Sequence, residues 1–138
     1  MKGRKRHVLV DTEGLLLRVV CLPADIQDWD GAEDLFLRSR PSCPRLELVW
    51  ADGAYGRNGL AAWVEEACGW RLEVVGRPAG ARGFVVVPRR WAVERTFAWL
   101  GRNRRLAKDY EELAESTEAW VYAAMARLML RRLARPAA

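Results

Sequence analysis

Residues 46–75 constrain the fold more than any other part of this 138-residue chain. From Leu46 to Ala51, Leu46, Leu48 and Trp50 share one face of a period-2 pattern, and Val49 and Ala51 share the other. A strand apolar on both faces belongs inside a sheet covered on both sides. The run stops at Asp52-Gly53, and Asn58 is placed to N-cap a helix that reaches about Cys68. Gly69 follows as its C′ residue. Arg71 to Val75 is then a second strand. Strand, helix and strand within about 30 residues form a βαβ unit, which demands parallel strands.

The flanking segments extend this α/β reading. His7 to Val10, the turn Asp11-Thr12-Glu13-Gly14 and the run Leu15 to Cys21 predict a β-hairpin. Asp30 to Ser39 reads as a helix on Ala32, Leu35 and Phe36, with Asp30 a fair N-cap, and Pro41 and Pro44 end it. Gly76 to Gly83 is a loop, and Phe84 to Val87 is a short strand. Pro88 then opens a single helix over Trp91 to Leu106. A last helix starts at Ser116 or Thr117 and runs to about Ala134, with acids first and arginines last, as the helix dipole favours. The length fits one domain, 1–138.

Composition excludes several classes. No apolar run reaches the roughly 18–20 residues that would span a bilayer, so no membrane partner is expected. The basic start is not followed by a signal-peptide core. Cys21, Cys43 and Cys68 are odd in number and lack CxxC spacing, which reads as reduced cytosolic thiols rather than a disulfide frame or zinc site. With His7 the sole histidine, a His-based metal site or a Ser-His-Asp triad has little support. Of the 23 basic residues, 20 are Arg. Composition alone favours a GC-rich genome over phosphate recognition as the reason.

Position says more. Arg89 to Arg105 holds six basic residues and one acid, Glu94, a net of +5 that equals the net charge of the whole chain. Arginines around one carboxylate suit chemistry on phosphodiesters, because guanidinium groups hold the backbone while the acid holds a metal. Asp52 stands at the carboxyl end of a strand, the edge where α/β sheets bind ligands. The alternative for Asp52 is a turn aspartate, since Asp-Gly is a common turn pair. The alternative for Glu94 is a surface ion pair with Arg90, worth a few tenths of a kcal/mol. Trp91, Phe97 and Leu100 are expected on the packed helix face, with Glu94 on the other side beside Arg90 and Ala98.

Asp11 reads mainly as turn chemistry, and Asp25, Asp28 and Asp30 read as structural. Arg102, Arg104 and Arg105 divide between phosphate contact and a solvated helix end. Lys2, Arg4, Lys5 and Arg6 divide between DNA contact and a solvated terminus. Trp120, Met125 and Leu128 are core or partner-packing.

These blocks resemble the C-terminal part of a bacterial insertion-sequence transposase of the DDE class, in the insertion-sequence-five group. The resemblance runs through Gly3 to Leu15, Pro23 to Asp28, Val49-Trp50-Ala51-Asp52-Gly53, Arg89 to Leu100 and Lys108-Asp109-Tyr110-Glu111-Glu112. It implies a partial ribonuclease-H-like fold with a mixed sheet and a helical C-terminus. It also implies an endonuclease and strand transferase that uses Mg²⁺ or Mn²⁺. Asp52 matches the second catalytic aspartate and Glu94 the catalytic glutamate, both as metal ligands. Arg90 matches a signature arginine expected near DNA, and Arg89, Arg95, Arg102, Arg104 and Arg105 are expected with it. One departure is Ala54-Tyr55-Gly56-Arg57, where the family more often has Gly-Tyr-Arg-Gly.

The first catalytic aspartate of such enzymes lies upstream of the Gly3-to-His7 segment, on the first, central strand. The resemblance therefore implies an N-terminally truncated catalytic domain that is inactive alone. It implies a sheet whose halves either close up or stay apart. The implied partners are the double-stranded DNA of transposon ends and target. An upstream transposase polypeptide and self-association stay open. The implied location is the cytoplasm, at the bacterial nucleoid. A non-catalytic DNA-binding or regulatory fragment of a mobile element remains the alternative function.

Overall fold

A computed structural model describes residues 3–56, 59–75 and 91–135. The expected strand 84–87, Pro88, Arg89, Arg90 and the expected cap Asn58 lie outside these residues.

The βαβ unit forms as expected. Strand β3 (Leu48–Ala51) pairs in parallel with β4 (Arg71–Val74), with Val49 opposite Leu72 and Trp50 opposite Glu73. Helix α2 (Leu60–Cys68) crosses between them and ends on Gly69, whose φ of 73° is the left-handed cap glycine tolerates best. The N-cap residue of α2 is Gly59, also left-handed, with a φ of 68°. The expectation of burial on both strand faces is corrected. Val49 and Leu72 are buried, but Leu48 and Trp50 are half-buried, and the Trp50 indole donates to Glu73 Oε2 at 3.0 Å.

The hairpin is longer than its apolar runs. Strand β1 (Arg4–Val10) pairs antiparallel with β2 (Leu16–Pro23), starting from Arg4 opposite Pro23. Arg4, Lys5 and Arg6 therefore belong to a strand. Arg4 donates to the Glu111 carbonyl at 2.9 Å, Lys5 pairs with Asp28 at 3.1 Å, and Arg6 donates to the Leu106 carbonyl at 3.0 Å. This corrects the reading of Arg4, Lys5 and Arg6 as a solvated terminus: all three are tied to the body of the protein.

Each hairpin face has its own core. Leu9 and Val20 pack with Leu35 and Phe36 of α1 (Asp28–Ser39) and with Val49, Val64 and Leu72. Leu16, Val19 and Cys21 pack with Leu100 of α3 (Trp91–Gly101) and with Val121 and Met125 of α4 (Ala114–Ala134). Strand alternation sends neighbouring residues to opposite cores. Burying a valine such as Val20, Val64 or Val121 completely contributes about 1.5–3 kcal/mol.

Helix α4 also closes the outer edge of β2. The Cys21 amide donates to Glu118 Oε1 at 2.9 Å, and the Val19 amide donates to Tyr122 Oη at 3.0 Å. Exposed strand edges recruit other chains, and two side chains one helical turn apart block this one.

Among the described residues the strands form two separate two-stranded sheets, β1–β2 and β3–β4. Of the two outcomes expected for a partial ribonuclease-H-like sheet, the halves stay apart. Helix α1 packs against both strands of the hairpin and against α2, and so joins them. The class is α/β with a helical C-terminus.

Several boundaries differ from expectation. Helix α1 begins at Asp28 with Gln27 as its N-cap residue, so Asp30 is a first-turn acid rather than the cap. The helix expected over Trp91 to Leu106 stops at Gly101, and a separate 3-10 turn spans Arg104–Leu106. Asn103 sits between them in extended conformation, and its side-chain amide donates to the Leu100 carbonyl at 3.3 Å, satisfying a helix end. The break lets Leu106 turn into the second core. Helix α4 starts at Ala114, and Thr117 is buried with its hydroxyl donating to Asp109 Oδ1 at 2.8 Å.

Candidate functional site

Asp52 follows the last residue of β3 and is half-buried. Its backbone is held on both sides. The Val75 amide donates to the Ala51 carbonyl at 2.7 Å, and the Tyr55 amide donates to the Asp52 carbonyl at 3.1 Å within the 3-10 turn Gly53–Tyr55. That turn packs on α1. Tyr55 Oη lies 3.2 Å from His7 Nδ1, and the two rings meet edge to face. Burial first, then the charges of Asp28 and Asp52, push the Tyr55 phenol up to about 12, so it keeps its proton at neutral pH.

Glu94 is an exposed residue in the first turn of α3. The helix is seated on the hairpin turn by its next two residues. The Arg95 guanidinium donates to the Glu13 carbonyl, and the Thr96 hydroxyl lies 2.5 Å from the Gly14 carbonyl. Thr96 and Leu100 form the buried stripe. Glu94 lies two residues, about 200° of helical rotation, from Thr96 and so points outward. Ala98 shares its exposed side, as expected. Phe97 does not belong to the packed face: it is exposed, and buried Thr96 takes that place. The Trp91 side chain lies outside the described residues.

Asp52 and Glu94 are thus fixed by different parts of the fold. The turn after Asp52 rests on α1, whereas α3 rests on β1, α4 and the 3-10 turn that follows it. Among the described residues no group of three or more His, Cys, Asp or Glu side chains could hold a metal ion. The segments outside the description contain no Asp, Glu, His or Cys. Asp52 and Glu94 offer the hard oxygen donors that Mg²⁺ prefers. As a set they do not fit a two-metal site, which needs further ligands.

The other acids have structural work. Asp11 Oδ1 accepts the amides of Glu13 and Leu15, both at 2.9 Å, which is turn chemistry. Asp109 accepts from Thr117, the Glu111 amide and Arg4. Partial burial works against its charge, but these partners outweigh it and hold its carboxyl below the usual range.

The described arginines divide. Arg95 stacks on Trp99 at 4.8 Å besides holding Glu13. Arg105 Nε lies 2.5 Å from Glu111 Oε1, and its guanidinium covers Trp120 at 5.0 Å. Trp120 is accordingly exposed rather than core, while Met125 is buried. Arg102 and Arg104 are exposed. Sequence reasoning assigned no site role to Arg127, Arg131 and Arg132 of α4 or to Arg135, its C-cap residue. A signal was present in Arg127, Arg131 and Arg135 as the spacing i, i+4, i+8, but helix-dipole complementarity already accounted for it.

No helix among the described residues is long and apolar enough to cross a membrane. A family model described as a transposase DDE domain matches residues 1–129. No curated protein and no solved structure matches the chain.

Proposed function

The chain belongs to the transposase DDE-domain family, and we propose that it is a catalytic domain of DNA transposition whose metal site is completed by residues from outside this sequence. A transposition-related function follows from the family itself. The finer reading assigns Asp52 and Glu94 as ligands of Mg²⁺ or Mn²⁺, and double-stranded DNA of the transposon ends and target as substrate. The observation that carries it is the position of Asp52 at the carboxyl end of a parallel strand, within residues that match the family throughout.

A bound divalent ion supplies an activated water and polarises the phosphodiester. The chain's own contribution is positioning. The β3–β4 ladder and the following turn fix the backbone at Asp52, while Thr96 and Arg95 fix the helix that presents Glu94. Arg102 and Arg104 are placed to hold phosphates, and Arg89 and Arg90 are assigned to DNA by resemblance. Among the described residues no three ligands are gathered, and on this reading the chain alone is expected not to turn over. An upstream transposase polypeptide, or a second copy of the chain, supplies what is missing. The site of action is the cytoplasm, at the nucleoid.

The second reading is a non-catalytic DNA-binding or regulatory fragment that uses the same arginines. Metal-dependent cleavage and strand transfer on labelled transposon-end DNA separates the two, using the chain alone and with the polypeptide encoded immediately upstream. Activity is expected only with the second component. Glu94→Gln should abolish that activity and keep DNA binding. Robust cleavage by the chain alone overturns the incomplete-site reading. Full activity in Glu94→Gln overturns the assignment of Glu94.

A further inference from the structure

Helices α3 and α4 enclose a cleft of about 460 Å³ near their C-terminal ends. Five arginines line it: Arg102, just after α3, Arg127, Arg131 and Arg132 from α4, and Arg135, the C-cap residue of α4. Among the described residues no carboxylate lines it. From Ala119 to Arg135 the chain carries four arginines and no acid. The cleft floor is apolar, formed in part by buried Leu100 and Met125.

Dipole complementarity explains an arginine in the last turn of a helix, but not five on one cleft from two helices. The two helix ends bring roughly half a negative charge each. Five guanidinium groups outweigh that several-fold, and the cleft is a strong anion attractor. One of them is held in place across the helix pair, because Arg132 of α4 covers Trp99 of α3 at 4.6 Å. A stacked guanidinium keeps its N–H edge for a planar, two-oxygen acceptor.

The layout specifies the kind of anion. Arg127 and Arg131 stand one turn apart on α4, and Arg135, its C-cap residue, continues the line to a stripe about 12 Å long. A compact phosphate ligand asks for cations converging on one point, whereas a line of cations matches a line of phosphates. Over that length a duplex presents between three and four base pairs, at about 3.4 Å per phosphate along each strand. Single-strand binders also offer open aromatic faces for base stacking. Here Trp99 is already engaged by Arg95 and Arg132, and Trp120 by Arg105.

We propose that the α3–α4 cleft is a sequence-independent docking site for the phosphate backbone of double-stranded DNA, with the Arg127–Arg131–Arg135 stripe as its main contact. It deepens the DNA-binding part of the function above and rests on that reading for the partner. Glu94 and Asp52 take no part in it.

The test measures affinity of the full chain for a 30-base-pair random-sequence duplex as a function of salt. The triple variant Arg127→Ser/Arg131→Ser/Arg135→Ser is compared with Arg38→Ser/Arg45→Ser/Arg71→Ser, which removes equal charge outside the cleft. All six residues are exposed, and circular dichroism checks that both variants fold. Loss of three phosphate contacts should reduce the log–log salt slope by about 2.7, so wild type loses about 40-fold more affinity than the cleft variant between 50 and 200 mM salt. The control variant should keep a slope close to wild type.

If wild type binds duplex and the cleft variant matches it in affinity and slope, the cleft is not the site, and the broader DNA reading stands. If wild type shows no salt-dependent binding to any DNA, the broader reading falls with it. Tighter binding of a single strand of the same length overturns the duplex assignment. Displacement by polyglutamate at equal charge concentration overturns the nucleic-acid assignment.

Discussion

His7 Nδ1 and Tyr55 Oη stand 3.2 Å apart, and this contact joins strand β1 of one sheet to the turn that follows Asp52 in the other. The two sheets share no ladder hydrogen bonds among the described residues. The chain's single histidine therefore helps set where the candidate metal ligand sits. His7 is buried, and its Nε2 has no hydrogen-bond partner.

That environment predicts a pH effect. Burial, with help from Lys5, lowers the His7 pKa from 6.5, and Asp28 and Asp34 pull the other way without reversing it. Between 6.5 and the lower folded-state value, the unfolded chain binds more protons than the folded one. Stability is therefore present above about pH 6.5 and declines as the pH falls toward the folded-state pKa. Urea midpoints should be lower at pH 5.5 than at pH 7.5, and His7→Phe should remove the difference. Equal wild-type midpoints at the two pH values would show that His7 is not buried as a neutral group.

Gly31 of α1 predicts a reversal of the usual helix rule. Replacing an exposed mid-helix glycine by alanine gains about 1 kcal/mol. Here an added Cβ would collide with His7 Nε2 and stand 2.7 Å from Cε1. The ring is buried and tied to Tyr55, so it cannot swing aside. Overpacking of this kind costs about 1–3 kcal/mol. Gly31→Ala should lower the melting temperature, and a higher one would mean that the ring has room to move.

Thr96 predicts the strength of the seat beneath Glu94. Its hydroxyl proton serves the Gly14 carbonyl at 2.5 Å or the Ala92 carbonyl at 2.9 Å. Thr96→Val keeps the shape and removes the donor, leaving the Gly14 carbonyl without it. A cost of about 1–3 kcal/mol is expected in denaturant unfolding. Thr96→Ser should keep most of the stability. Wild-type stability in the valine variant would mean that α3 is held by packing alone.

Elements specified by neighbouring residues were legible. The parallel strand within Leu46 to Ala51, the cap at Gly69 and the Asp11 turn are decided within a few residues; the cap and the turn formed as read, while the strand spans only Leu48–Ala51 and is not buried on both faces. The long helix after Pro88 was not legible to its end. Helical periodicity continues through Gly101, and the break reflects the burial of Leu106 against β2 and α4. Phe97 was misplaced because hydrophobicity selects phenylalanine for a core. The hairpin turn instead offered a carbonyl to Thr96.

By itself the sequence determined the α/β class, the parallel pair, the hairpin and the family. Each depends on local periodicity or a contiguous motif. Tertiary structure alone decided the destinations of the charges. Arg4 meets Asp109 from 105 positions away, while Arg102 joins arginines of α4 at one cleft. Charged side chains carry no periodic signature of their partners, so their pairing is fixed only when packing brings distant elements together. The same holds for Asp52 and Glu94: the motif names them, and the packing seats each on a different part of the fold.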